Sequence, residues 1–232
     1  VLADGERLVG SEPAVVGRRA WVLHRRGQTL RAISEMRAVL TTHPDFAWGW
    51  RELVDWTAEV EHWAEIVELA DATPAAVQDQ AWFWSVVATA QQKLNREDRI
   101  EPALRSAVDC APVQGGPELL RLIDWLDAHH RGHESGDLVR SLRDPGSWEP
   151  RIVLRAALLA AEEGDCEAVT KSLEAVTPGA MTVPWQQRLL KVKINCAEQS
   201  DQPLYVAKYQ YELLNLDQTD IRLESVQSNQ DA

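Results

Sequence analysis

Ala47-Trp-Gly-Trp50 and Ala81-Trp-Phe-Trp84 are two near copies of one quartet, set 34 residues apart. This recurrence constrains the chain more than any local propensity does. A period of roughly 20–50 residues implies supersecondary units that bury their apolar faces by stacking on one another. The two quartets also hold four of the ten tryptophans in 232 residues, so their placement decides much of the core.

With Ala81 as position 1, the unit to Gln114 carries Trp84, Val87, Ala88 and Gln91 at positions 4, 7, 8 and 11. Ile100, Leu104, Ala107 and Pro112 follow at positions 20, 24, 27 and 32, with Asn95 at 15. Apolar residues therefore recur at three-and-four spacing on both sides of a turn-forming Asn. That pattern predicts a helix, a tight turn, a second helix and a proline stop. One period earlier, Pro13 opens a unit with Ala20, Leu23, Gly27, Ala32, Met36 and Pro44 at positions 8, 11, 15, 20, 24 and 32. Gly27 suits a left-handed turn residue and Ala32 a close helix approach. The middle unit, residues 47–80, has Trp50, Leu53, Trp63, Ile66 and Ala70 at positions 4, 7, 17, 20 and 24. Its proline, Pro74, comes early and predicts a short second helix.

These positions resemble the tetratricopeptide repeat, a helix-turn-helix of the same length, best over residues 13–112. The match is degenerate: Val54 stands at position 8, and Ile66 and Ile100 at position 20. The resemblance implies an all-α, right-handed α-solenoid of about six helix-turn-helix hairpins. The chain then divides into a lead-in (1–12), three repeats (13–114), degenerate hairpins continuing the array (115–216) and a polar tail (217–232).

Beyond Gln114 the pattern weakens. Leu119, Leu122, Ile123 and Leu126 keep helical spacing. Arg131–Gly136 reads as a polar break, and Asp137–Arg143 as a short helix. Asp144–Pro150, "DPGSWEP", is either a subdomain boundary or a longer inter-repeat turn. Pro150–Glu163 and Glu167–Val176 form a pair around Gly164, the second helix ended by "TPG". Trp185–Ala197 follows Pro184, a favourable first-turn residue. Leu204–Leu216 closes the array, with Tyr205, Tyr209 and Leu213 on one face.

Position 4 belongs to the hairpin core, so Trp50 and Trp84 are expected to be buried. Two residues along a helix is a rotation of about 200°, which turns Trp48 and Trp82 the opposite way. In the repeat family, positions 2, 5, 9 and 12 of the first helix line the inner concave surface. The residues of interest there are Trp21 and His24 in the first unit and Trp48, Arg51 and Asp55 in the second. The third contributes Trp82, Ser85, Thr89 and Gln92. Aromatic residues with arginine are the types enriched at binding hot spots. The other possibility is that a terminal helix or neighbouring domain covers these tryptophans. At positions 5 and 9, Gly17 and Trp21, Arg51 and Asp55, and Ser85 and Thr89 stand where chaperone-binding members have the Lys and Asn that grip acidic C-termini, which disfavours that partner.

The net charge of −12 argues against nucleic acid or an anionic membrane as partner. Cys110, Cys166 and Cys196 are odd in number and lack metal-like spacing, so they read as free thiols of a reducing compartment, which is the basis for a cytoplasmic location. The chain begins with Val, as a piece of a longer protein would. His129, His130 and His133 in "HHRGH" read as a solvated loop rather than a metal site, because Gly132 intervenes. "VQGGPE" lacks the Lys-Ser/Thr of a phosphate loop. The lone cysteines have no adjacent histidine to activate them, and Glu162 and Glu163 read as a solvated helix end. Arg25, Arg26 and Arg31 make a basic patch that could meet an acidic peptide. No catalytic residue, cofactor or metal ligand is expected.

The expected function is a non-enzymatic protein-interaction module that offers a Trp-rich groove to a peptide, protein, neighbouring domain or second copy. One alternative is a helical accessory or substrate-docking domain of a larger enzyme. A remoter one is the protein prenyltransferase α-subunit. "FAWGWREL" faintly resembles its repeats, since Trp48 lies three residues before Arg51, but "AWFWSVVA" lacks the Arg.

Overall fold

A computed structural model describes residues 12–143, 148–174 and 182–228. Among these the chain is all-α, with thirteen helices and no strand. It divides into two compact units, Val1–Pro112 and Val113–Ala232. The expected lead-in, most of "DPGSWEP", the "TPG" stop and the last four residues lie outside the described residues.

The first unit contains α1 (Pro13–Arg25), α2 (Thr29–Thr42), α3 (Ala47–Glu59), α4 (Trp63–Ala72), the short α5 (Ala75–Gln78), α6 (Ala81–Lys93) and α7 (Glu97–Asp109). The second contains α8 (Pro117–Ala128), α9 (Gly132–Arg140), α10 (Pro150–Glu162), α11 (Cys166–Glu174), α12 (Val183–Gln199) and α13 (Pro203–Ser228). Apart from α5, the helices pair into six hairpins: α1/α2, α3/α4, α6/α7, α8/α9, α10/α11 and α12/α13.

One turn closes all six. Its left-handed residue is Gly27, Glu61, Asn95, His130, Gly164 or Asp201, with φ between 51° and 76°. Each of these N–H groups bonds a carbonyl three residues back, and the next N–H bonds one five residues back. Gly27→His24 at 2.8 Å with Gln28→Leu23 at 3.0 Å is one case, and Asp201→Glu198 at 3.2 Å with Gln202→Ala197 at 2.8 Å is another. This Schellman pair satisfies carbonyls that a helix end would otherwise leave open. The turn residues are spaced 34, 34, 35, 34 and 37 apart. The helical period thus persists through the second half, where the sequence pattern fades.

Core positions follow the repeat register. Ala20, Val54 and Ala88 at position 8 are fully buried, as are Ala32 and Ile66 at position 20. Trp50 is buried as expected. Trp84 is not: it is half-buried, and its neighbour Phe83 is fully buried in its place. The reason lies in position 3. In the second repeat that residue is Gly49, and the Phe46 ring lies against it so closely that a Cβ there would come within 2.6 Å of the ring. In the third repeat position 3 is Phe83, which fills the core with its own ring, and Trp84 is left half-buried. Both position-4 indoles still make the equivalent bond. Trp50 Nε1 donates to the Pro44 carbonyl at 2.8 Å and Trp84 Nε1 to that of Gln78 at 2.6 Å.

In the second unit the expected polar break at 131–136 is helical. Helix α9 starts at Gly132, and Ser135 and Gly136 are buried. Small residues let α9 approach its neighbours, and a polar network fills the contact. Arg155 of α10 grips the Asp127 carboxylate with both terminal nitrogens and donates to Ser135 Oγ at 2.7 Å. Ser135 in turn donates to Asp127 Oδ1 at 2.7 Å. Paired this way, an arginine is tolerated inside the apolar run 152–161. Gly115, at φ 77°, leaves room for the Trp148 ring, which would lie 2.7 Å from a Cβ there, and its carbonyl accepts from the Glu149 N–H at 2.8 Å.

The reading of three free thiols is overturned. Cys166 of α11 and Cys196 of α12 form a disulfide, and Cys110 alone is free. The pair lies within a core cluster with Ala157, Val169, Leu173 and Val192. The argument for a reducing compartment falls with it. No helix among the described residues is long and apolar enough to cross a membrane. Helix α13 continues past Leu216 to Ser228, where a polar tail was expected. Tyr209 and Leu213 are half-buried, while Tyr205 is exposed along with Leu204, Tyr211 and Leu214.

Candidate functional site

The first helices of the three hairpins in the first unit carry the candidate residues. On α1, Arg18 stands one turn before Trp21, and its guanidinium carbon lies 5.5 Å from the Trp21 ring centre. The same carbon lies 5.3 Å from the ring of Trp48 on α3, so one arginine bridges two tryptophans from successive hairpins. Arg25 approaches Trp21 from the next turn at 5.7 Å. The step to α6 repeats the arrangement, with Arg51 4.3 Å over the Trp82 ring. Arg51 also donates to Asp55 Oδ2 at 2.8 Å, four residues along the same helix. The result is an alternation of arginine and tryptophan across α1, α3 and α6. Guanidinium groups are drawn to indole faces by the ring quadrupole.

Trp21, Trp48 and Trp82 are all half-buried, while Arg18 and Arg51 are exposed. Trp48 is seated by its surroundings. Its ring is 5.5 Å from that of Phe46, and a Cβ at Gly17 would meet it at 3.0 Å. Gly17, at repeat position 5, is therefore a gap that admits the indole of the next hairpin. Glu52 lies among these charges. Burial first, and the Asp55 carboxylate second, push its carboxyl above the usual range, against the lowering influence of His24, Arg18 and Arg51.

The remaining expected residues divide. Ser85 and Thr89 stay on α6, where the Thr89 hydroxyl donates to the Ser85 carbonyl at 2.9 Å. Gln92 is exposed at the end of the helix, and its carbonyl serves the Asn95 turn. His24 instead packs inward: it stacks on the buried Trp56 at 5.0 Å, with Glu59 3.6 Å from Nε2 and Thr29 3.4 Å from Nδ1. Arg18, Glu52 and Phe46 were not among the sequence candidates, and Arg25 was one only as part of the basic patch. Arg18 and Arg25 do lie one turn either side of Trp21, but the approach of Arg18 to Trp48, 30 residues on, exists only once the hairpins stack.

No family model matches this chain, and no curated protein matches it. Among solved structures it is similar to the crystal structure of MamA, with a TM-score of 0.47 and 12% sequence identity. The alignment covers 88% of this chain and 96% of that one.

The other candidates take up structural positions. "HHRGH" straddles the α8/α9 turn: His129 stacks on Trp125 at 3.9 Å, His130 is the left-handed turn residue, and His133 lies 3.1 Å from Asp137. Among the described residues no three His, Cys, Asp or Glu side chains are grouped to hold a metal. The Cys110 thiol donates to the Gln78 carbonyl at 3.5 Å, and burial pushes its pKa up, which keeps it protonated. In the basic patch, Arg31 pairs with Glu35 at 3.4 Å, and Arg25 belongs to the Trp21 cluster.

Proposed function

We propose that this chain is a protein-interaction module, without catalytic activity of its own, that binds a segment of a partner protein on the face formed by α1, α3 and α6. The observation that carries this reading is the Arg–Trp alternation from Trp21 through Arg18 and Trp48 to Arg51 and Trp82. Half-buried indoles held by arginines are pre-organised: they need little further ordering to receive a ligand, and Trp and Arg are enriched among hot-spot residues. The face gathers Arg18, Arg25 and Arg51 against Glu52 and Asp55, on a chain whose net charge is −12. It therefore suits a segment that combines acidic and apolar side chains, which the rest of the surface would repel.

The test compares capture of partners by the wild-type chain and by a Trp48→Ala, Trp82→Ala variant with equal helicity. A partner should be retained by the first and lost by the second. Equal capture by both would remove this face from consideration.

A further inference from the structure

We propose that a cleft between α4 and α7, floored by α6, is a second binding site of the first unit. It would take a small carboxylic acid bearing an amide N–H and an apolar side group, the chemistry of an N-acylated amino acid. The inference is independent of the Arg–Trp face, since Trp82 belongs to that face and Trp84 lines the cleft.

The cleft exists because Pro74 stops α4 early and leaves α6 uncovered between α4 and α7. Its volume is about 850 Å³, within the roughly 300–1,000 Å³ of small-molecule sites. Its floor holds an unexplained group. Gln91 occupies repeat position 11, which is Leu23 in the first repeat and Thr57 in the second. Thr57 satisfies itself by donating to the Leu53 carbonyl at 2.6 Å. Gln91 is 7% exposed, and its Oε1 has no hydrogen-bond donor among the described residues. Buried polar atoms are almost always paired. An acceptor kept unpaired at a core position, and lining a cleft, calls for a donor from outside.

The neighbours define the remainder of the ligand. Arg96 follows the Asn95 turn at the start of α7, where its backbone N–H donates to the Gln91 backbone carbonyl at 3.0 Å. Its side chain lines the cleft, is exposed and has no ion-pair partner among the described residues. The α7 N-terminus, which lacks a side-chain cap, favours negative charge at the same end, where its own first turn also holds Glu97 and Asp98. Of the lining acids, Asp98 is 3.3 Å from Arg99, and Asp71 stands on the opposite wall. A carboxylate is thereby directed to Arg96. The Trp84 indole N–H is already committed to Gln78, so its ring offers an apolar surface, with Val67, Val87 and Pro102 beside it.

The experiment titrates N-acetyl-L-leucine into the full chain and follows the indole N–H resonance of Trp84, assigned by its loss in Trp84→Phe. A saturable shift is expected. N-acetyl-L-leucine amide, which lacks the carboxylate, and free leucine, which lacks the acyl amide, should bind about 10-fold more weakly. Gln91→Leu should abolish the shift and raise the melting temperature, because it removes the unpaired acceptor. Arg96→Gln should weaken binding about 10-fold at unchanged melting temperature. An acetylated tripeptide ending in leucine that binds more tightly identifies a peptide C-terminus as the source of this chemistry, whereas equal or weaker binding identifies the free acid. No saturable shift with any probe, or wild-type binding by Gln91→Leu, would overturn the proposal.

Discussion

The guanidinium of Arg51 lies 4.3 Å over the ring of Trp82, which sits 31 residues further along the chain on the first helix of the next hairpin. The contact joins two hairpins at the exposed side of their interface, and the arginine is also held by Asp55. A double-mutant cycle of Arg51→Ala and Trp82→Ala should show a coupling of about 0.5–1 kcal/mol in chemical denaturation, the range for exposed cation–π pairs. Strictly additive single mutants would show that the approach carries no energy.

Phe83, not Trp84, is the residue whose truncation should be severe. Phe83 is fully buried, so Phe83→Ala should cost about 3–5 kcal/mol. Trp84→Phe keeps an aromatic ring and loses the bond to the Gln78 carbonyl, for a cost of about 1 kcal/mol. Equilibrium unfolding of the two variants checks the order, and the reverse order would mean that the ring assignments in α6 are exchanged.

Glu61 has φ 58°, a conformation that costs a residue with a Cβ and costs glycine little. Its side chain is exposed, so Glu61→Gly should stabilise the chain by about 0.5–1 kcal/mol. Gly27→Ala, at the equivalent turn, should destabilise it by a similar amount. A loss of stability in Glu61→Gly would contradict the shared turn geometry.

The Cys166–Cys196 disulfide has a direct chemical readout. In denaturant without reductant, one cysteine per chain, Cys110, should react with a thiol reagent; after reduction all three should. Reduction should lower the stability of the second unit by about 3.7 kcal/mol, for a crosslink between residues 30 apart in sequence. Three reactive thiols before reduction would refute the pairing.

Glu52 sets a pH dependence. Its folded-state pKa is raised, so the native state favours the neutral carboxyl. That contribution is complete below the unfolded value near 4.3 and is lost as pH rises through the folded value. Glu52→Gln should therefore raise the melting temperature at neutral pH, with the gain shrinking as the pH falls towards about 4. A gain that persists in acid would assign the effect to packing.

Much of the fold was legible from spacing. Gly27, Asn95 and Gly164 announce turns because their residue types tolerate positive φ, and the apolar positions beside them follow helical geometry. Glu61, His130 and Asp201 adopt the same turn with no such announcement. His and Asp visit positive φ more often than most residues but also serve many other places, and Glu61 disfavours it, so residue type alone does not mark these turns. The candidate site was legible in its tryptophans. Arg18 was missed because its contact with Trp48 joins two separate helices. His24 satisfied the groove register, yet the large indole of Trp56 drew it inward.

The sequence by itself determined the helical hairpin, its period and the opposite orientation of the two tryptophans in each Ala-Trp-x-Trp. Those properties follow from helical rotation and the positions of turn residues, which act over a few residues at a time. Tertiary structure alone decided which aromatic fills each core position, which arginine meets which indole, and that Cys166 and Cys196 pair. These outcomes depend on the volume left between helices distant in the chain. Beside Gly49, which admits the Phe46 ring, Trp50 is buried, whereas Phe83 fills the core of the third repeat itself and Trp84 is half-buried and lines the cleft.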